Sequence, residues 1–221
     1  MASPLRVQLE VGPKGKKIVA VAQGWPGLSR GGTSEDKALE ALRAYIPRYT
    51  AVAEHAGLQL ESDAIEVVER YPGTGSTDFW GISFAFSDFD RLQPSAEETE
   101  SELALLQACW GVFDEVRARV SAELKKGPRG GGRDRDRIVL HVMANEHDWN
   151  PREAGMKPGA EVPIWGEALR AHRENYLSAV RARHAEGRTA GKWPLRFLIR
   201  HTAFHTMDHT WEMEDKDLSN A

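Results

Sequence analysis

Residues 200–216, RHTAFHTMDHTWEMEDK, place His201, His205 and His209 four residues apart and then run into acids. An α-helix advances about 100° and about 1.5 Å per residue, so side chains four apart lie nearly in line and about 6 Å apart along the axis. Neighbours in such a series can clasp one ion. His201 and His209 are separated by about 12 Å, too far to share a coordination shell with bonds near 2 Å. The stripe therefore offers one chelating pair, His201 with His205 or His205 with His209. The competing reading is an amphipathic helix whose half-buried histidines are satisfied by carboxylates.

Helical spacing surrounds this stretch. Apolar residues recur at three and four through 95–126 (SAEETESELALLQACWGVFDEVRARVSAELKK), which predicts a long helix. GPRGGGR (127–133) breaks it. A second helix follows at 134–149, capped by Asp134 or Asp136, a third at 163–187 and a fourth at 193–215, with Pro194 suited to its first turn. Four helices with connections of modest length argue for an antiparallel bundle over 95–217.

The first ninety residues have a shorter rhythm. LRVQLEV (5–11) and KKIVAVA (16–22) alternate as strands around the turn-forming GPKGK. GWPGLSRGG (24–32) has loop composition, and 33–57 is helical, with Thr33 or Ser34 as cap, Gly57 as stop, and Pro47 as a point of kinking or division. AIEVVERY (64–71) and FWGISFAF (79–86) return to strand composition. The expected fold is α+β: a β-β-α-β-β domain over 1–90, then the bundle, with the boundary in SDFDRLQPSAEE (87–98).

Composition narrows the partners. A net charge of −4 gives no general reason to expect nucleic acid or an anionic membrane. No apolar run approaches a signal peptide or a membrane span, so a cytoplasmic protein is expected. The single cysteine, Cys109, lies among apolar neighbours at helical spacing and reads as a small buried hydrophobe rather than a nucleophile.

A catalytic metal needs a third protein ligand from another element, with positions left open. The second helix supplies His141, whose neighbours Val139, Leu140, Val142 and Met143 imply burial; His147, nearer an exposed end, is the rival. A buried imidazole needs a hydrogen bond or a metal. Glu146 is the candidate catalytic carboxylate, with a salt bridge to an arginine as its plainer role. Asp208 and Glu212 flank the ligands and either orient an imidazole or face solvent.

HVMANEHDW (141–149) and FHTMDHTWE (204–212) resemble the ligand stretches of the DinB-like (YfiT-like) superfamily, in which one histidine on the second helix of a four-helix bundle and HxxxH on the fourth bind a divalent metal. The resemblance spans about 97–216. It implies His141, His205 and His209 as ligands and Glu146 at the common acidic position. TWEMED stands where relatives often carry Arg-Gly-Gln after the last histidine, so the His201–His205 register stays open. Characterised relatives are often thiol-dependent transferases or isomerases.

GWPGLSRGGTSEDKALEAL is similar to the HicB-like pattern, which implies a compact αβ fold over about 5–87 and, without a DNA-reading tail, a regulatory or dimerising part rather than an antitoxin. KKGPRGGGRDRDR (125–137) is either a plain connector or an anion dock ahead of a helix. Arg129 and Arg133 are the candidates to bind the carboxylates of an anionic thiol.

The expectation is thus a cytoplasmic metalloprotein, a transferase or hydrolase for a small-molecule substrate, with a low-molecular-weight thiol as a further cofactor and a homodimer as a possible assembly. Zinc, nickel, iron and manganese all suit imidazole ligands. The alternative is a non-catalytic two-domain binding or stress-associated protein.

Overall fold

The alternation in 5–11 and 16–22 becomes a pair of strands. In the computed structural model, which describes residues 3–60, 64–127, 131–188 and 191–219, β1 (Leu5–Val11) and β2 (Ile18–Ala22) run antiparallel, with Val7 opposite Ala22 and Val11 opposite Ile18. β3 (Ser29–Gly32) extends the sheet antiparallel to β2, although its composition predicts loop. Its glycines permit close approach: a Cβ on Gly31 would lie 2.5 Å from the Gly81 oxygen.

α1 (Glu35–His55) starts where Ser34 accepts from the Lys37 N–H, and it runs through Pro47 without dividing. β4 (Ile65–Pro72) then pairs parallel with β1, giving the order β3-β2-β1-β4. The expected last strand at 79–86 does not form. In its place, α2 (Gly75–Trp80) is closed by a Thr74–Thr77 capping box and by Gly81 in the left-handed region, φ 75°. The reason is Glu10, a fully buried carboxylate on β1. It accepts hydrogen bonds from the Thr77, Ser83 and Tyr71 hydroxyls at 2.5, 2.6 and 3.2 Å and from the Phe84 and Ala85 N–H groups at 3.0 and 3.2 Å. Donors that a neighbouring strand would have taken are spent on one side chain.

α3 (Asp88–Arg91) and α4 (Ala96–Arg119) follow, the latter opened by a Ser95–Glu98 capping box. α4 ends at Arg119, short of the predicted Lys126. The chain beyond it is held by the C-terminus, where the Ser121 N–H donates to Asp217 at 2.9 Å and Leu124 bridges Asp217. α5 (Arg135–His147), a short α6 (Trp149–Glu153), α7 (Gly166–Ala185) and α8 (Leu195–Asp215) complete the mixed α and β fold. Asp134 precedes α5 but makes no cap bond; its carboxylate takes the Leu124 N–H and Lys126.

α8 lies at the centre of the packing, against α3, α4, α5, α6 and α7. One apolar cluster continues from Val7 and Leu9 on β1 through Leu42 and Phe113 to Phe197 and Met207. Beside the histidine stripe on α8 runs a threonine stripe. Thr202, Thr206 and Thr210 each return their hydroxyl to the carbonyl four residues back, at 2.8, 3.1 and 2.7 Å, which satisfies them in the core. Three arginines tie α8 to the sheet side. Arg30 reaches Asp208 at 2.9 Å, Arg48 reaches Glu214 and Asp215, and partly buried Arg200 grips both Asp90 oxygens at 2.7 Å. Among the described residues no helix is long and apolar enough to cross a membrane.

Candidate metal centre

His141 projects from the middle of α5, while Ile138, Val139, Val142 and Met143 are buried and Leu140, expected inside, is half exposed. Across from it on α8 stand His205 and His209. The Nε2 atoms of His141 and His205 lie 3.2 Å apart. The three ring centroids form a nearly equilateral triangle, with sides of 5.0, 4.9 and 4.8 Å. One ring nitrogen from each lies within 4.8 Å of the others, so the group could hold a metal ion.

On α8, His205 and His209 are thus the histidines that meet His141. His201 points into an aromatic box instead, stacked on Phe197 at 5.3 Å and edge-on to Phe84 and Trp193. Burial, reinforced by the Arg200 charge, pushes its pKa down to about 3. It is a neutral core residue.

Behind His209 stands Glu212. The His209 Nδ1–H donates to its Oε2 at 2.7 Å, and Lys216 donates to its Oε1 at 2.5 Å. The His209 hydrogen bond, with help from Lys216 and against partial burial, lowers the Glu212 carboxyl to about 2. A carboxylate on Nδ1 leaves the His209 Nε2 lone pair free, the arrangement common behind metal-binding imidazoles. Asp208 does not share this role, since it is the partner of Arg30. Lys216 went unnoticed in the sequence, though its spacing of four from Glu212 was legible.

The electrostatics suit neutral ligands. Burial, then the neighbouring His209 and Arg133, lower the His141 pKa; burial, then the charges of the other histidines and of Arg133, depress His205 much further. Imidazoles held neutral carry the lone pairs a metal requires. A tetrahedral shell with metal–nitrogen bonds of about 2.0–2.1 Å sets its nitrogens about 3.3–3.4 Å apart, close to the observed 3.2 Å. Imidazole nitrogens suit a divalent ion, and the group could hold one with positions left for exogenous ligands.

The other candidates lie elsewhere. Glu146 is buried and spent on Arg173, which donates from Nε at 2.9 Å and from a terminal nitrogen at 3.2 Å; burial raises its pKa against the pull of that guanidinium. His147, expected near an exposed end, is buried beside His172, with ring centroids 5.8 Å apart. Arg133 is exposed, yet its charge acts on both His141 and His205. Arg129 lies outside the described residues.

A groove of about 290 Å³ lies between the sheet and α8, lined by Lys17, Arg30, Trp80, Phe204 and Asp208 among others. Phe204 and Asp208 immediately precede His205 and His209. Compared with protein-family models, curated proteins and solved structures, the chain matches none.

Proposed function

We propose that this chain is a divalent-metal-dependent enzyme of the transferase or hydrolase class acting on a small molecule, with a low-molecular-weight thiol as co-substrate in the transferase case. The observation that carries this reading is the meeting of His141 with His205 and His209 across two helices, with Glu212 fixing the third ring. These three residues would hold the ion, which would supply Lewis acidity and lower the pKa of a thiol or water. Arg133 brings positive charge to the same side and suits an anionic group on the substrate or thiol. The groove along Phe204 and Asp208, with Lys17, Arg30 and exposed Trp80, offers space for the substrate body.

In this reading α4, α5, α7 and α8 are a DinB-like bundle, and the sheet with α1 is an HicB-like appendage. The support is the ligand pattern, His141 on α5 and the His205–His209 pair on α8. The appendage would steady α8 through Arg30 and Arg48 rather than act as an antitoxin. A second reading, non-catalytic, rests on the same contacts: an ion joining α5 to α8 would staple two packed helices.

Metal analysis of protein purified without an affinity tag tests the reading first. Near-stoichiometric transition metal, lost in His141→Ala, is the expected result. Less than about a tenth of an equivalent after supplementation would overturn it. A thiol-transfer and hydrolysis screen with metal-loaded and chelated protein then separates enzyme from staple.

A further inference from the structure

A second site lies away from the histidines. Between the first residues of β1, the loop after β2 and the α3–α4 corner is an open cleft of about 450 Å³, whose walls include Leu5, Trp25, Leu60 and Phe89. At its base, sharing Gln23, Trp25 and Phe89, is a recess of about 10 Å³, the size of one water or one ammonium group.

Three residues that line this recess each carry a buried oxygen with no donor. Gln8 is 1% exposed; its amide nitrogen is committed to Glu69 at 2.7 Å, which leaves Oε1 unpartnered. Glu102 is 5% exposed; its Oε1 takes Arg196 at 2.5 Å, and Oε2 has no partner. The Gln23 Oε1 is likewise unsatisfied. The guanidiniums nearby are engaged, Arg196 with Glu98 and Glu102 and Arg200 with Asp90, Ser83 and Ala85. A buried acceptor without a donor costs about 1–3 kcal/mol, so three around one small recess call for a donor-rich occupant.

Charge leaves the choice to hydrogen bonding. Asp90 and Glu102 face Arg196 and Arg200 in the recess, a neutral set when all are ionised. Glu98 and Arg6 offset each other at the outer rim, both exposed and screened by water.

We propose that this cleft binds a small primary amine, its ammonium group seated among Glu102, Gln8 and Gln23 and its apolar stem between Trp25, Leu60 and Phe89. Three N–H donors match three waiting oxygens. A quaternary ammonium has no N–H to donate and is too large for the recess, and a carboxylate would leave the three oxygens without donors. The site does not depend on the metal centre.

The geometry also sets a pH dependence. Burial raises the Glu102 carboxyl to about 7, against the pull of Arg196 and with the push of Glu98 and Asp90. The ionised form is the one that holds an ammonium. Affinity therefore rises about tenfold per pH unit up to the Glu102 pKa and levels off above it.

Calorimetric titration with benzylammonium, benzyl alcohol, benzoate and benzyltrimethylammonium tests the proposal. Expected is saturable one-to-one binding of benzylammonium only, at least about tenfold weaker at pH 5.5 than at pH 8. In Glu102→Gln the new amide can donate to the Gln8 and Gln23 oxygens. That variant, checked for folding by its melting curve, should bind benzylammonium at least about tenfold more weakly. Gln23→Leu, at a half-buried position, should weaken binding severalfold with folding intact. No binding heat at millimolar benzylammonium, equal binding of the alcohol, or unchanged affinity in both variants would overturn the assignment.

Discussion

Glu212 holds His209 from behind: its Oε2 accepts the ring Nδ1–H at 2.7 Å while Lys216 anchors the other oxygen. The pair fixes the tautomer of the His209 imidazole, leaving Nε2 as the free nitrogen. Glu212→Gln should lower metal affinity about 10- to 100-fold by chelator competition. The metal-free protein should also melt lower, because the bonds from His209 and Lys216 that hold this carboxyl low are made only in the fold, so affinities are compared where both proteins are folded. Unchanged affinity would show that the carboxylate merely pairs with Lys216.

Metal binding should register as stability. A free ion at about one hundred times its Kd adds about 2.7 kcal/mol, or about 5–10 °C in Tm for a chain of this size. Chelator should remove the gain, and His141→Ala should show none, since it deletes the ligand from α5. A gain that survives in His141→Ala would place the ion elsewhere.

His201 should make the fold acid-sensitive. Above about pH 6.5 the side chain is neutral in both folded and unfolded chains. Below that, the unfolded chain takes up a proton that the folded one refuses down to about 3, so stability falls by up to ~1.4 kcal/mol per pH unit. His201→Phe keeps the stack on Phe197 and removes the proton site. Between pH 7 and 5 the parent should lose about 2 kcal/mol more than the variant in urea unfolding. Parallel losses would mean that His201 is protonated in the fold.

The Arg200–Asp90 pair should be costly to break from either side. Asp90 is 1% exposed, and Arg200 also supplies Ser83 and the Ala85 carbonyl. Arg200→Met leaves a buried carboxylate uncompensated, at about 3–5 kcal/mol. The double variant with Asp90→Asn should cost clearly less than the sum of the two single changes. Simple additivity in denaturant melts would show that the pair is not coupled.

Much of the helical half was legible because a helix repeats. Four-residue spacing announced the histidine stripe, and Ser34 and Ser95 marked the starts of α1 and α4 by their capping bonds. The strand content was less legible. Residues 79–86 have β-rich composition, yet Glu10, seventy residues earlier, captures their donors. Ser29–Gly32 looks like loop and is a strand because β2 presents an open edge and glycines let Gly81 approach.

The chain's own order of residues determined which groups were available: three aligned imidazoles, a fourth on another helix, and a carboxylate three residues past the last. That information is local, since it depends only on the pitch of one helix. Only the tertiary structure decided that His205 and His209 meet His141 while His201 turns into Phe84, Trp193 and Phe197. It likewise decided that Asp208 and Glu146 are spent on arginines, and that Glu102, Gln8 and Gln23 share one recess. Such outcomes depend on how helices and sheet dock, which is set by the packing of the whole core and not by any one segment.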